Sequence, residues 1–115
     1  VYTTYLTVTI LAAAMNTFSA AADFLRVKQV YAQMKKAGVP ESWLNPLAIL
    51  KAAGAIGLLV GIALPLVGIA AATGLVLFFT GAIVSHLRAR YYNIAFPIMY
   101  LLPAAASLAL GVYLL

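Results

Sequence analysis

The chain has no cysteine, one histidine and two acidic residues, Asp23 and Glu41, among 115 residues. Without cysteine there is no disulfide framework and no thiol redox chemistry. One histidine cannot supply paired axial imidazoles, and with two acids at or beyond the end of one apolar run it forms neither a Ser/His/Asp constellation nor a metal-ligand spacing. The sequence therefore names no catalytic residue, no metal site and no cofactor. Charge is equally scarce, since 8% of the residues are charged against about 25% in a soluble domain that must wet its surface. The formal net charge of +5 comes from seven basic residues at the ends of apolar runs, not the dense basic face that tracks phosphates, so nucleic acid is excluded as a partner.

What is abundant is hydrocarbon: 66% of the residues are hydrophobic and the mean hydropathy is +1.09. About 20 apolar residues cross a ~30 Å hydrocarbon core, and four spans meet that length, at approximately residues 3–22, 46–64, 66–85 and 94–115. The expected fold is an all-α integral membrane four-helix bundle forming a single domain over residues 1–115. Asn45-Pro46 is expected to open the second helix with a side-chain cap and a proline in its first position. The apolar run from Ala52 to Ser85 is too long for one crossing and right for two, with Leu64-Pro65-Leu66 as the turn. In the fourth span Pro97 falls in the first turn and Pro103 inside, where it withholds a donor and is expected to kink the helix.

Arg26, Lys28, Lys35, Lys36, Arg88 and Arg90 all lie in the two connections on one face, and Lys51 is about one turn inside it. The positive-inside tendency makes that face cytoplasmic and puts both termini outside, in a bacterial cytoplasmic membrane. Tyr31, Trp43, Tyr91 and Tyr92 mark the same interface. No basic n-region with a small-residue cleavage site precedes the first span, which is therefore expected to be retained. Phe24, Val27, Tyr31 and Met34 recur at helical spacing, so the first helix is expected to continue into the cytoplasm as far as Ala37-Gly38, its basic side against anionic headgroups. Glu41 beside Pro40 reads as a loop residue.

Helices in lipid associate through close approach at small residues. In KAAGAIGLLVG, Gly57 and Gly61 stand four apart with Ala53 a turn earlier, and the third span supplies Ala70, Gly74 and Gly81. These residues are expected to zip the central hairpin.

The run LKAAGAIGLLVGIALPLVGIAAATGLVLFFTGAIVSHLRAR, with its lysine, Gly-x-x-Gly-Leu-Leu segment, proline turn and His-Leu-Arg ending, resembles the DoxX-like family of small four-helix membrane proteins. The resemblance covers about Ala37 to Arg90. It implies the fold and a membrane location; the wider superfamily is functionally mixed, including redox subunits and assembly helpers.

Polar residues converge at the basic end. Asp23, Lys51, His86 and Tyr100, one from each span, reach similar depth, and Asn16 lies seven residues before Asp23, ~10 Å deeper on the same stripe. Ionisable groups inside a bilayer face the bundle interior and pair, so an Asp23–Lys51 pair with His86 and Tyr100 around it forms a candidate quinone or lipid-headgroup pocket, His86 being a proton donor because imidazole titrates near neutral pH. The simpler alternative has Lys51 snorkelling, Asp23 paired with Arg26, His86 with Arg88 and Arg90 ending a helix, and Asn16 bonding between helices. The remaining Ser and Thr residues can bond their own helix carbonyls.

Two functions follow. The chain is expected to be a non-enzymatic accessory or assembly partner of another membrane protein, or a homo-oligomer; the alternative is a quinone- or lipid-interacting enzyme or redox subunit. The orientation is open to test: a periplasmic reporter fused after Leu115 should be active and a cytoplasmic one silent, and the reverse pattern would refute both termini lying outside.

Overall fold

In a computed structural model, residues 1–25, 32, 35–36, 38, 40–90 and 94–115 are described. Among them are four α-helices, α1 (Tyr2–Phe24), α2 (Leu44–Val60), α3 (Pro65–Arg88) and α4 (Ala95–Tyr113), with a 3-10 turn, Glu41–Trp43, leading into α2. Three of these helices, α1, α3 and α4, are long and apolar enough to cross a membrane. The second is shorter. Its 17 residues cover ~26 Å at 1.5 Å each. Backbone bonds from Gly61 N to the Gly57 carbonyl and from Leu64 N to the Val60 carbonyl, both 2.9 Å, carry the helical turn onward to the hairpin.

Three local expectations change. Trp43, not Asn45, is the N-cap of α2, because the 3-10 turn already delivers the chain in helical register and Asn45 falls inside the first turn. The hairpin bends at residues 61–64, and Pro65 starts α3 with Leu64 as N-cap, as its fixed φ and missing N–H suit it to do. Glu41 opens the 3-10 turn instead of lying in a loop. The continuation of α1 to Ala37, and the interface positions of Tyr31, Tyr91 and Tyr92, lie outside the described residues. Helix α4 runs unbroken through Pro103.

The helices pack as a ring, α1 on α2, α2 on α3, α3 on α4 and α4 on α1. Gly111 of α4 faces Tyr5 of α1 and Ile69 of α3, so both ends of the described chain and the 61–64 turn share one end of the bundle. Its long dimension is 39 Å, enough to span ~30 Å of hydrocarbon and reach both interfaces. The core is made of small side chains: Ala12, Ala13, Ala55, Ala72 and Ala104 are buried with Leu58, Leu75 and Phe79. Bulky apolar residues such as Phe18, Ile56, Leu66, Leu77 and Leu102 point outward.

The α2–α3 seam shows why. A Cβ on Gly57 would stand 2.7 Å from the Ala71 Cβ, one on Gly54 2.6 Å from a Leu75 methyl, and one on Gly61 would run into the Gly68 backbone. The expected partners differ from these. Gly74 and Gly81 have open space where a Cβ would be, and Ala53 is exposed, because the face of α3 that meets α2 is set by Gly68, Ala71 and Leu75. Gly54 takes the place in the seam expected for Ala53. Gly61→Leu, meeting backbone that cannot move aside, should destabilise the bundle by ~1–3 kcal/mol or more, read as a lowered melting temperature in detergent. Gly74→Leu and Gly81→Leu should melt like the parent; equal melting of all three variants would refute this seam.

Candidate functional site

At the basic end, α1 directs Ser19 and Asp23 inward, four residues apart on one helical stripe. From α2, Lys51 reaches both: its Nζ donates to Asp23 Oδ2 at 2.8 Å and to Ser19 Oγ at 2.9 Å. Asp23 is 2% exposed and the Lys51 side chain 13%. The ammonium also lies 5.6 Å from the centre of the Phe78 ring on α3, within range for a cation–π attraction. From α4, Tyr100 sits beside Ser19 and within electrostatic reach of Asp23, its ring 5.4 Å from that of Phe79. All four helices thus surround one ion pair. In a low-dielectric interior two opposite charges persist only because they are paired and further hydrogen-bonded.

Asn16, fully buried, donates from Nδ2 to the Ala12 carbonyl of its own helix at 2.8 Å. Its Oδ1 has no hydrogen-bond partner among the described residues, leaving an acceptor whose desolvation costs about 1–3 kcal/mol. His86 is half-buried nearer the helix end, and its Nδ1–H donates to the Ala82 carbonyl at 2.8 Å. Lys51 directs its hydrogen bonds to Ser19 and Asp23, not to His86. Arg88 and Arg90 are exposed. Arg26, the other expected partner of Asp23, lies outside the described residues.

Sequence reasoning passed over Ser19, Thr9 and Ser107, assigning hydroxyls to their own helices. Thr7, Thr17, Thr73 and Thr80 do bond carbonyls four residues back. Thr9 and Ser107, both buried, instead share a 2.7 Å hydrogen bond between α1 and α4. A signal was present: Thr9, Asn16 and Asp23 are spaced by seven, as are Tyr100 and Ser107, so each helix carries a polar stripe on one face.

A second feature lies outside the core. Between α2 and α3 a groove of about 480 Å³ opens outward, with Leu50, Ala53 and Gly54 on one wall and Ala71, Gly74 and Leu77 on the other.

The profile of the DoxX-like family matches residues 7–107, which takes in all four helices. The chain belongs to the DoxX-like family. It is a small integral membrane protein, and the match extends well beyond the central hairpin. Comparison with curated proteins and with solved structures finds no significant match. Among the described residues no group of three or more His, Cys, Asp or Glu side chains could hold a metal ion.

The ion pair predicts a thermodynamic asymmetry in this DoxX-like protein. Asp23→Leu or Lys51→Met alone strands one buried charge and should cost about 3–5 kcal/mol. The double replacement Asp23→Leu with Lys51→Met should recover most of that loss. Melting of the two single variants and the double variant in one detergent measures the coupling; additive losses would show that the pair does not act as a unit.

Proposed function

We propose that this DoxX-like protein is a non-enzymatic accessory or assembly partner of another protein in the bacterial cytoplasmic membrane, both termini outside, working through its lipid-facing helix surfaces. The observation that carries the reading is the division of labour among the glycines. Gly54, Gly57, Gly61 and Gly68 serve the α2–α3 contact, whereas a Cβ on Gly74 or Gly81 of α3 would meet no atom of the described residues within 4 Å. Gly74 also lines the outward groove. Small-residue surfaces let a second helix approach closely, and among the described residues these two glycines have no such neighbour. The Lys51 amine, held by Asp23 and Ser19, has its charge compensated internally, in keeping with a structural part for that pair.

One observation favours the other reading, a quinone- or lipid-interacting pocket at the inner leaflet. The Asn16 Oδ1 is buried with no donor among the described residues, one turn from Ser19, and a ligand carrying an N–H or O–H would satisfy it.

Purification in mild detergent with mass spectrometry of everything retained separates the two. The accessory reading expects a fixed membrane-protein partner, or a second copy, that is lost in the Gly74→Leu, Gly81→Leu double variant while melting is unchanged. A retained quinone or lipid that disappears with Asn16→Leu, with no partner protein, would overturn it in favour of the pocket.

A further inference from the structure

Two connections far apart in sequence meet at the basic end. Gly38, in the segment between α1 and α2, stands so close to the end of α3 that a Cβ on it would lie 3.8 Å from the Ala89 Cβ. Gly38 adopts φ +75, a left-handed conformation open to glycine and strained for a side-chain-bearing residue. Three residues before it Lys35 is exposed, and on either side of Ala89 Arg88 and Arg90 are exposed too. Arg90 itself takes φ 58, the one non-glycine residue among those described with positive φ, after its N–H closes a turn onto the Leu87 carbonyl at 3.0 Å. Such a conformation is uncommon for arginine, and here it ends α3 by turning the chain at the bundle's rim.

Two positive-φ residues thus lie at one rim, where the approach of Gly38 to Ala89 brings together two connections that each carry exposed cations. Like charges on one rim repel, and the planar guanidinium fork favours an oxyanion such as phosphate, two of whose oxygens it can bind at once. Trp43, exposed at the entry to α2, belongs to a residue type that settles at headgroup depth. Water-borne anions reach this rim as well as lipids do, but a phosphate anchored at headgroup depth is already at the right height and local concentration.

We propose that the Lys35 connection and the Arg88–Arg90 connection form one binding site for the phosphate of an anionic phospholipid, assembled by the approach of Gly38 to Ala89. The site is distinct from the helix faces through which the accessory function would act. It differs from a diffuse attraction of positive loops to a negative membrane in depending on geometry and not on charge count alone.

The test uses the full chain in detergent, titrated with phosphatidylglycerol, phosphatidylcholine or inorganic phosphate and followed by thermal melting and native mass spectrometry. Phosphatidylglycerol should bind and raise the melting temperature, phosphatidylcholine should not, and inorganic phosphate should compete only weakly. Lys35→Gln, and separately Arg88→Gln with Arg90→Gln, should each weaken phosphatidylglycerol binding by about fivefold per charge removed. Gly38→Val keeps every charge but strains the φ that brings the connections together. It should weaken binding about as much as Lys35→Gln while circular dichroism shows the helices intact. If Gly38→Val folds and binds phosphatidylglycerol like the parent, or if phosphatidylcholine binds equally well, the assembled site is refuted; stronger binding of inorganic phosphate than of lipid would refute the lipid as its ligand. Should Gly38→Val lose its helices, Gly38→Asn, whose side chain tolerates left-handed φ, must retain the parent's affinity, and a loss there would equally overturn the site.

Discussion

A bilayer gives an apolar side chain no reason to be inside a protein, and that constraint governs the organisation of this fold. In water, Phe18, Ile56, Leu66 and Leu77 would be the core and the alanines would be incidental. Here the large residues face lipid and the interior is built from Ala12, Ala13, Ala55, Ala72 and Ala104, because what remains to hold helices together is contact between surfaces that can approach closely. The Gly61–Gly68 crossing is the extreme case, with backbone against backbone. The bend at residues 61–64 and the proline that opens α3 place those two glycines opposite each other.

The same solvent makes each polar group inside the bundle consequential. Thr9 and Ser107 satisfy each other between α1 and α4, and Asp23, Ser19 and Lys51 satisfy one another between α1 and α2. Helix α1 is therefore tied to one neighbour near one end and to the other neighbour nearer the opposite end. Non-directional packing of alanine on alanine would tolerate a rotation or a slide of α1. Two hydrogen-bonded contacts at different depths oppose both motions, and they set the register in which Asn16 lies buried between them.

Family membership and the paired interior shape what the protein can do. Among the described residues the Asp23–Lys51 pair is compensated inside the bundle and Lys35, Arg88 and Arg90 are exposed, while no atom of those residues lies within 4 Å of where a Cβ would stand on Gly74 or Gly81 of α3. The interior pair ties α1 to α2, the rim is where a lipid phosphate is proposed to bind, and the α3 face is the surface on which the proposed accessory role would rest. These three regions occupy different residues, so each can be altered without touching the other two.

Much of this was legible in the amino-acid order. Four apolar runs, the scarcity of charge and the placement of Lys and Arg determine helices of membrane-crossing character, because span length and hydropathy are local properties. The Asp23–Lys51 juxtaposition could be read as well, since two opposite charges at equal depth in lipid have few other partners. The details that depend on helix rotation could not. Whether Gly54 or Ala53 enters the α2–α3 seam is a difference of one residue, about 100° around the axis. Nor does sequence say that Gly74 and Gly81 look outward, that Ser19 takes the lysine, or that Thr9 reaches Ser107 and not its own helix. In lipid most faces of these helices are apolar, so the pattern that reveals a buried face in water is reduced to sparse polar stripes such as Thr9, Asn16 and Asp23 on α1 and Tyr100 and Ser107 on α4. Only the packed bundle, through the few places where backbones can touch and polar atoms can meet, chooses the rotation.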